Sequence, residues 1–103
     1  MDTKIEEVVK SDLKSKVKIK RPPLYKVIFF NDNFTPFEFV IQILVVIFHK
    51  SPTEAQNLAL TIHKEGSAII AVYPKDIALS KQTIVQKNAL HYKYPLVCKV
   101  EKE

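Results

Sequence analysis

Glycine is almost missing from this chain: Gly66 is the only one in 103 residues. A loop that cradles nucleotide phosphates needs several close backbone approaches, so that class is excluded. Cysteine is equally scarce. Cys98 stands alone, which rules out an internal disulfide, and no Cys/His group has the spacing of a zinc site. A lone thiol fits a reducing compartment. Arg21 is the only arginine, and no folded segment clusters basic residues with stacking aromatics, so no nucleic-acid partner is expected. Long apolar runs are absent too. The stretch from Phe39 to Phe48 is interrupted by Gln42 and is too short to span a bilayer. The N-terminus lacks the apolar core of a secretory leader, so the expectation is a soluble, cytoplasmic protein with no membrane partner.

What is present is enough for one domain with one core, at 47% hydrophobic residues. The net charge of +5 is uneven. Residues 1–21 carry seven Lys/Arg against four Asp/Glu, a net of +3, and the rest of the chain adds only +2. Residues 1–21 therefore read as a flexible N-terminal arm, and Pro22-Pro23 stiffen the entry to a core domain over 22–103.

The core has a clear order of elements. "LYKVIFF" is β-branched and aromatic, which predicts a strand. Thr35-Pro36-Phe37-Glu38 has the order of a capping box with proline at the first helical position, predicting a helix from Pro36 to His49. Its apolar face would hold Phe37, Val40, Ile41, Leu44, Val45 and Phe48. Ser51-Pro52-Thr53-Glu54 repeats the device and opens a second helix to Glu65, where Gly66 supplies the left-handed exit. "SAIIAVYP" predicts a second strand. A third helix follows from Pro74 to His91, stopped by Pro95, and "LVCKVE" predicts a third strand. The order β-α-α-β-α-β implies an α+β fold: a three-stranded, mainly antiparallel sheet with three helices on one face.

Catalytic machinery is not written here. His49, His63 and His91 share no ligand spacing, and nothing pairs a nucleophile with a base, so the chain is not expected to be an enzyme. Cys98 reads as a small buried strand residue. Asn31-Asp32-Asn33 admits two readings. These are common turn residues that bond the nearby backbone. They also place three acceptors at a strand exit, where loops often present polar groups to a ligand. Their ligand would be a cation, although the positive end of the following helix opposes one. His63, on the edge of the Ala55/Leu58/Ala59/Ile62 stripe, reads from the residues alone as a partly buried helix histidine.

Three stretches taken together change the balance. "PLYKVIFFNDNFTPFEFVIQIL", "LALTIHKEGSAIIAVYP" and "YPLVCKVEKE" resemble the bacterial ClpS family, adaptors of the ATP-dependent Clp protease. The resemblance covers residues 22 to 103. It implies recognition of proteins that begin with a large hydrophobic residue (Leu, Phe, Tyr or Trp), with no cofactor and no catalysis. It assigns the free α-ammonium group to Asn31, Asp32, Asn33 and His63. The first side chain would enter an apolar pocket at Thr35, Phe37, Val40, Ala59, Ile62 and Leu96. The partners implied are N-degron substrates and the N-terminal domain of a ClpA-type unfoldase, with Met1 to Arg21 as the arm that assists hand-over and the adaptor itself a monomer. The family commonly carries Asp where Asn33 stands, and often Met at the positions of Phe37 and Ala59. An alternative stays open: an interaction domain of similar fold that does not read chain ends. The family fold itself resembles the C-terminal domain of the ribosomal stalk protein, so fold alone does not choose.

Overall fold

The computed structural model describes residues 22–103. The arm expected over 1–21 lies outside the described residues. The elements are β1 (Leu24–Phe30), α1 (Phe37–Val46), α2 (Pro52–Glu65), β2 (Ser67–Pro74), α3 (Lys75–His91) and β3 (Val97–Lys102). The order matches the sequence expectation, and each strand falls within one residue of its predicted span.

The sheet runs β2-β1-β3, and β1 pairs antiparallel with both neighbours. That central place suits β1, whose Val27 and Phe29 are fully buried. Alternation sends Val27 and Phe29 to one face with Ile70 of β2 and Cys98 of β3. All three helices pack on that face. α1 contributes Val40, Ile43 and Leu44, α2 contributes Ala55, Ala59 and Ile62, and α3 contributes Ala78, Val85 and Ala89. The small residues of α2 and α3 let their backbones approach the sheet, while Phe29 and Phe48 meet edge to face at 5.7 Å. A bulge between Val27 and Ile28 shifts the β1–β2 register, so Ile70 reaches the core while Ile69 is half exposed.

Helix ends depart from the sequence reading in three places. α1 begins at Phe37 and ends at Val46 rather than running to His49. His49 takes a left-handed φ of 56°, and Lys81 of α3 donates its Nζ to the Ile47 carbonyl at 2.7 Å, which closes the helix from outside. α3 is ended by Lys93 at φ 60°, with the Tyr94 N–H on the Ala89 carbonyl and the Lys93 N–H on the Leu90 carbonyl. Pro95 lies beyond that turn and is not itself the stop. The third departure is the α1 cap, described below. α2 behaves as read: Gly66 sits at φ 93°, and its N–H donates to the Ile62 carbonyl.

α3 also holds the edge strand in place. Gln86 accepts from the Cys98 N–H at 2.8 Å and donates to the Leu96 carbonyl at 3.0 Å, while Gln82 donates to the Cys98 carbonyl at 2.8 Å. These bonds satisfy the backbone of β3 on its helix side. Burial pushes the Cys98 thiol up to about 12, so it stays protonated and inert at neutral pH.

Candidate functional site

The chain leaves β1 at Phe30 and reaches α1 at Phe37, and the six residues between hold the polar set. The loop is pinned at both ends. At its start the Asn31 N–H donates to the Gly66 carbonyl at 2.9 Å, which ties the strand exit to the C-terminal end of α2. His63 lies three residues before Gly66, so this bond and the pairing of Phe30 with Ser67 beside it bring the N-D-N loop and the histidine together.

At its other end Asp32 holds the loop closed. Its Oδ1 accepts from the Phe34 N–H at 2.8 Å and the Thr35 N–H at 2.7 Å, and its Oδ2 accepts from the Thr35 hydroxyl at 2.7 Å. This overturns the expected capping box. The Thr35 N–H is spent on Asp32, so Glu38 has no partner there, and Thr35 donates its hydroxyl instead of accepting from the helix. α1 therefore starts with Pro36 as its cap residue, in an extended conformation and without a side-chain cap. The physical reason is charge: an ionised carboxylate three residues upstream is a stronger acceptor than a hydroxyl or an exposed Glu side chain. Desolvation, the largest single influence on Asp32, pushes its pKa up. The bonds from the Thr35 hydroxyl and from the Thr35 and Phe34 backbone together outweigh it and leave the carboxyl below its ordinary value. The fold thus favours the ionised form. That contribution is present above the ordinary carboxylate pKa and is lost as acid protonates the folded state.

Around this loop lies a cavity of about 330 Å³, lined by Asn31, Asp32, Asn33, Thr35, Phe37, Val40, Ala59, Ile62 and His63. Nine of the ten residues singled out from the sequence meet there. Their order is layered. Val40, Ala59 and Ile62 are buried and form an apolar wall between α1 and α2, and Asn31, Asn33 and His63 are exposed at the polar side. His63 is exposed rather than partly buried, because it sits one residue past Ile62 on the helix. Phe37 remains 39% exposed, so its ring stands at the opening and does not join the core as its helical spacing suggested. Leu96 is the exception. It is 3% exposed and belongs to the core cluster, and it does not line the cavity. Leu96 immediately precedes β3, and the bond from Gln86 to its carbonyl holds it against the helix layer.

A larger groove of about 490 Å³ runs between α1 and α3, past Phe39, Ile43, Val46, Ile84, Tyr92 and Tyr94. The sequence reading missed it. Its signals are two rings after α3, Tyr92 stacked on Tyr94 at 5.8 Å, and the exposed Val46 and Ile84. Glu38, Gln42 and Asn88 also line it. Among the described residues no group of His, Cys, Asp and Glu is arranged to hold a metal ion, and no helix is long and apolar enough to cross a membrane.

Comparison with known proteins agrees with this fold. Residues 20–99 match the family model described as "ATP-dependent Clp protease adaptor protein ClpS". Among curated relatives, the ATP-dependent Clp protease adapter protein ClpS of Leptospira biflexa is 46% identical over 90 residues, covering 87% of this chain and 80% of the relative. The ClpS of Maricaulis maris is 38% identical over 102 residues, covering 99% of this chain and 94% of the relative. The solved structure of Agrobacterium tumefaciens ClpS2 bound to L-phenylalaninamide superposes with a TM-score of 0.78 at 36% identity, over 81% of this chain and all of that one. With the fold and these relatives in agreement, the chain belongs to the ClpS family, the adaptors of the ATP-dependent Clp protease, and is not an enzyme.

Proposed function

We propose that the chain binds proteins whose first residue is large and hydrophobic and hands them to the Clp protease through a ClpA-type unfoldase. The observation that carries this reading is the single cavity in which a polar rim, Asn31, Asp32, Asn33 and His63, meets an apolar wall, Val40, Ala59 and Ile62. An α-ammonium group has three donors and needs acceptors converging on it. Amide oxygens, a carboxylate and a neutral imidazole nitrogen supply them. The side chain of the same residue then has an apolar surface next to it, with Phe37 and Thr35 at the opening. L-phenylalaninamide, bound by the Agrobacterium relative, combines a free α-amine with an aromatic side chain, which is the chemistry this cavity suits.

The magnitudes are consistent with a carrier. A hydrogen bond to a charged group contributes about 1.5–3 kcal/mol, and burial of a Leu or Phe side chain about 1.5–3 kcal/mol. Lost translational freedom offsets much of the sum. A net of roughly −8 kcal/mol corresponds to micromolar binding, weak enough for release. An internal segment has no ammonium and forfeits the polar term, which makes the site a reader of chain ends. The direct test uses a labelled peptide beginning with Phe or Leu, with the α-amine free or acetylated. Micromolar binding of the free form and strong loss on acetylation support the reading. Equal binding of both forms removes the ammonium contact from it.

A further inference from the structure

Asp32 is the only carboxylate lining the cavity, yet three of its acceptor sites are already occupied within its own loop. An ionised carboxylate offers about four such sites. Among the described residues, the side chains of Asn31, Asn33 and His63 take part in no hydrogen bond, so the acceptors free for a ligand lie mainly on them. From this occupancy we infer that Asp32 is chiefly a positioning residue and that the Thr35 hydroxyl belongs to cargo recognition. The Asp32–Thr35 clasp sets the curve of the loop, and through it the place of the Asn31 and Asn33 amides opposite His63. This rests on the reading of the cavity as the site for a free chain end.

The loop between Phe30 and Phe37 has two anchors. The Asn31 N–H on the Gly66 carbonyl fixes its start, and the clasp fixes its end. Between them sit the two amide side chains. With the clasp in place they are already ordered before cargo arrives. Without it, their ordering has to come from the binding energy. The hydroxyl matters more than its size suggests. It is the one side-chain donor on Asp32, and it lies at 2.7 Å from a charged acceptor. Thr35 also lines the cavity, where the family resemblance placed it.

Replacing the hydroxyl by a methyl separates the two roles, because Thr35→Val keeps the wall and removes the donor. The full chain is titrated with a peptide beginning with Phe, free and acetylated, in wild type, Thr35→Val and Thr35→Ser. Thr35→Val is expected to bind the free peptide about tenfold more weakly, and the ratio of free to acetylated affinity is expected to fall with it. Thr35→Ser restores binding to within about twofold of wild type, since it keeps the donor. Nuclear magnetic resonance of the Asp32 carboxyl in the ligand-free protein adds a readout that packing alone does not move. Its titration shifts to higher pH in Thr35→Val, because one of the bonds that lower it is gone. His63 of α2 is the other titratable group lining the cavity, and it is present in all three proteins, so the difference between them reports the clasp. Thr35→Ala carries the same expectations if valine disturbs the fold. A wild type that does not distinguish free from acetylated peptide overturns the proposed function and this inference together. A wild type that does distinguish them, with Thr35→Val binding as tightly and Asp32 titrating as before, overturns the inference alone.

Discussion

Two helix starts in this protein share one pattern and do different things. Thr35-Pro36-Phe37-Glu38 and Ser51-Pro52-Thr53-Glu54 each place a hydroxyl, a proline and a glutamate in the order of a capping box. At the second, Ser51 Oγ accepts from the Glu54 N–H at 3.1 Å and caps α2. At the first, Thr35 turns away from the helix and donates to Asp32 at 2.7 Å. The difference lies three residues upstream. Before Thr35 there is an aspartate, and before Ser51 there are only the phenylalanine, histidine and lysine at 48–50. A motif that satisfies a helix end locally can thus be diverted by a nearby charge into holding a loop. One start is structural, and the other shapes a cavity.

The comparison breaks most sharply at Asp32. Asp32→Ala removes three bonds at once and frees the Thr35 hydroxyl. Binding of a Phe-first peptide should fall about 100-fold or more, since charged hydrogen bonds contribute about 1.5–3 kcal/mol each. Fluorescence anisotropy reads this, and a loss under threefold would show that the loop holds its shape without the clasp. His63→Ala comes next, across the cavity. It should weaken binding about tenfold or more by deleting one acceptor. The same anisotropy titration reads it, and an unchanged affinity would take the histidine out of the contact.

The second start should respond in the opposite currency. Ser51→Ala deletes a structural cap, so stability should drop by about 1 kcal/mol, a fall of roughly 4–8 °C in Tm for a domain of this size. Peptide affinity should not change. A matching loss of affinity in the folded protein would mean that the two helix starts are coupled. The smallest effect belongs to Glu54→Gln. Its carboxylate is 3.9 Å from Lys50 Nζ, and the side chain is 56% exposed. An exposed pair of this kind is worth a few tenths of a kcal/mol, and chemical denaturation should place the change within that range.

The fold was largely legible because its signals are local and repeated. The β-branched run of β1, the small-residue stripe of α2 and Gly66 at its end each bias the backbone in a way that packing then reinforces. Element ends were less legible. α1 closes early in a left-handed turn at His49, with the Lys50 N–H on the Leu44 carbonyl and Lys81, 34 residues away, on the Ile47 carbonyl, and no pattern within α1 announces that long-range bond. The residues that line the cavity, Leu96 excepted, were named by the family resemblance rather than by periodicity. Chemistry alone left Asn31-Asp32-Asn33 between a turn and a ligand loop, and read His63 as a helix histidine.

Sequence alone determined the order β-α-α-β-α-β, the Ala55/Ala59/Ile62 face that α2 buries, and the acceptors available at the strand exit. Only tertiary structure decided which acceptors remain free. Asp32 closes on Thr35, Asn31 is tied to Gly66, Leu96 sinks into the core, and Phe37 stays at the opening. The physical reason is that these outcomes are competitions. A hydroxyl that can cap a helix or bond a carboxylate goes to the stronger acceptor, and which acceptor is within reach depends on where the whole chain places the loop.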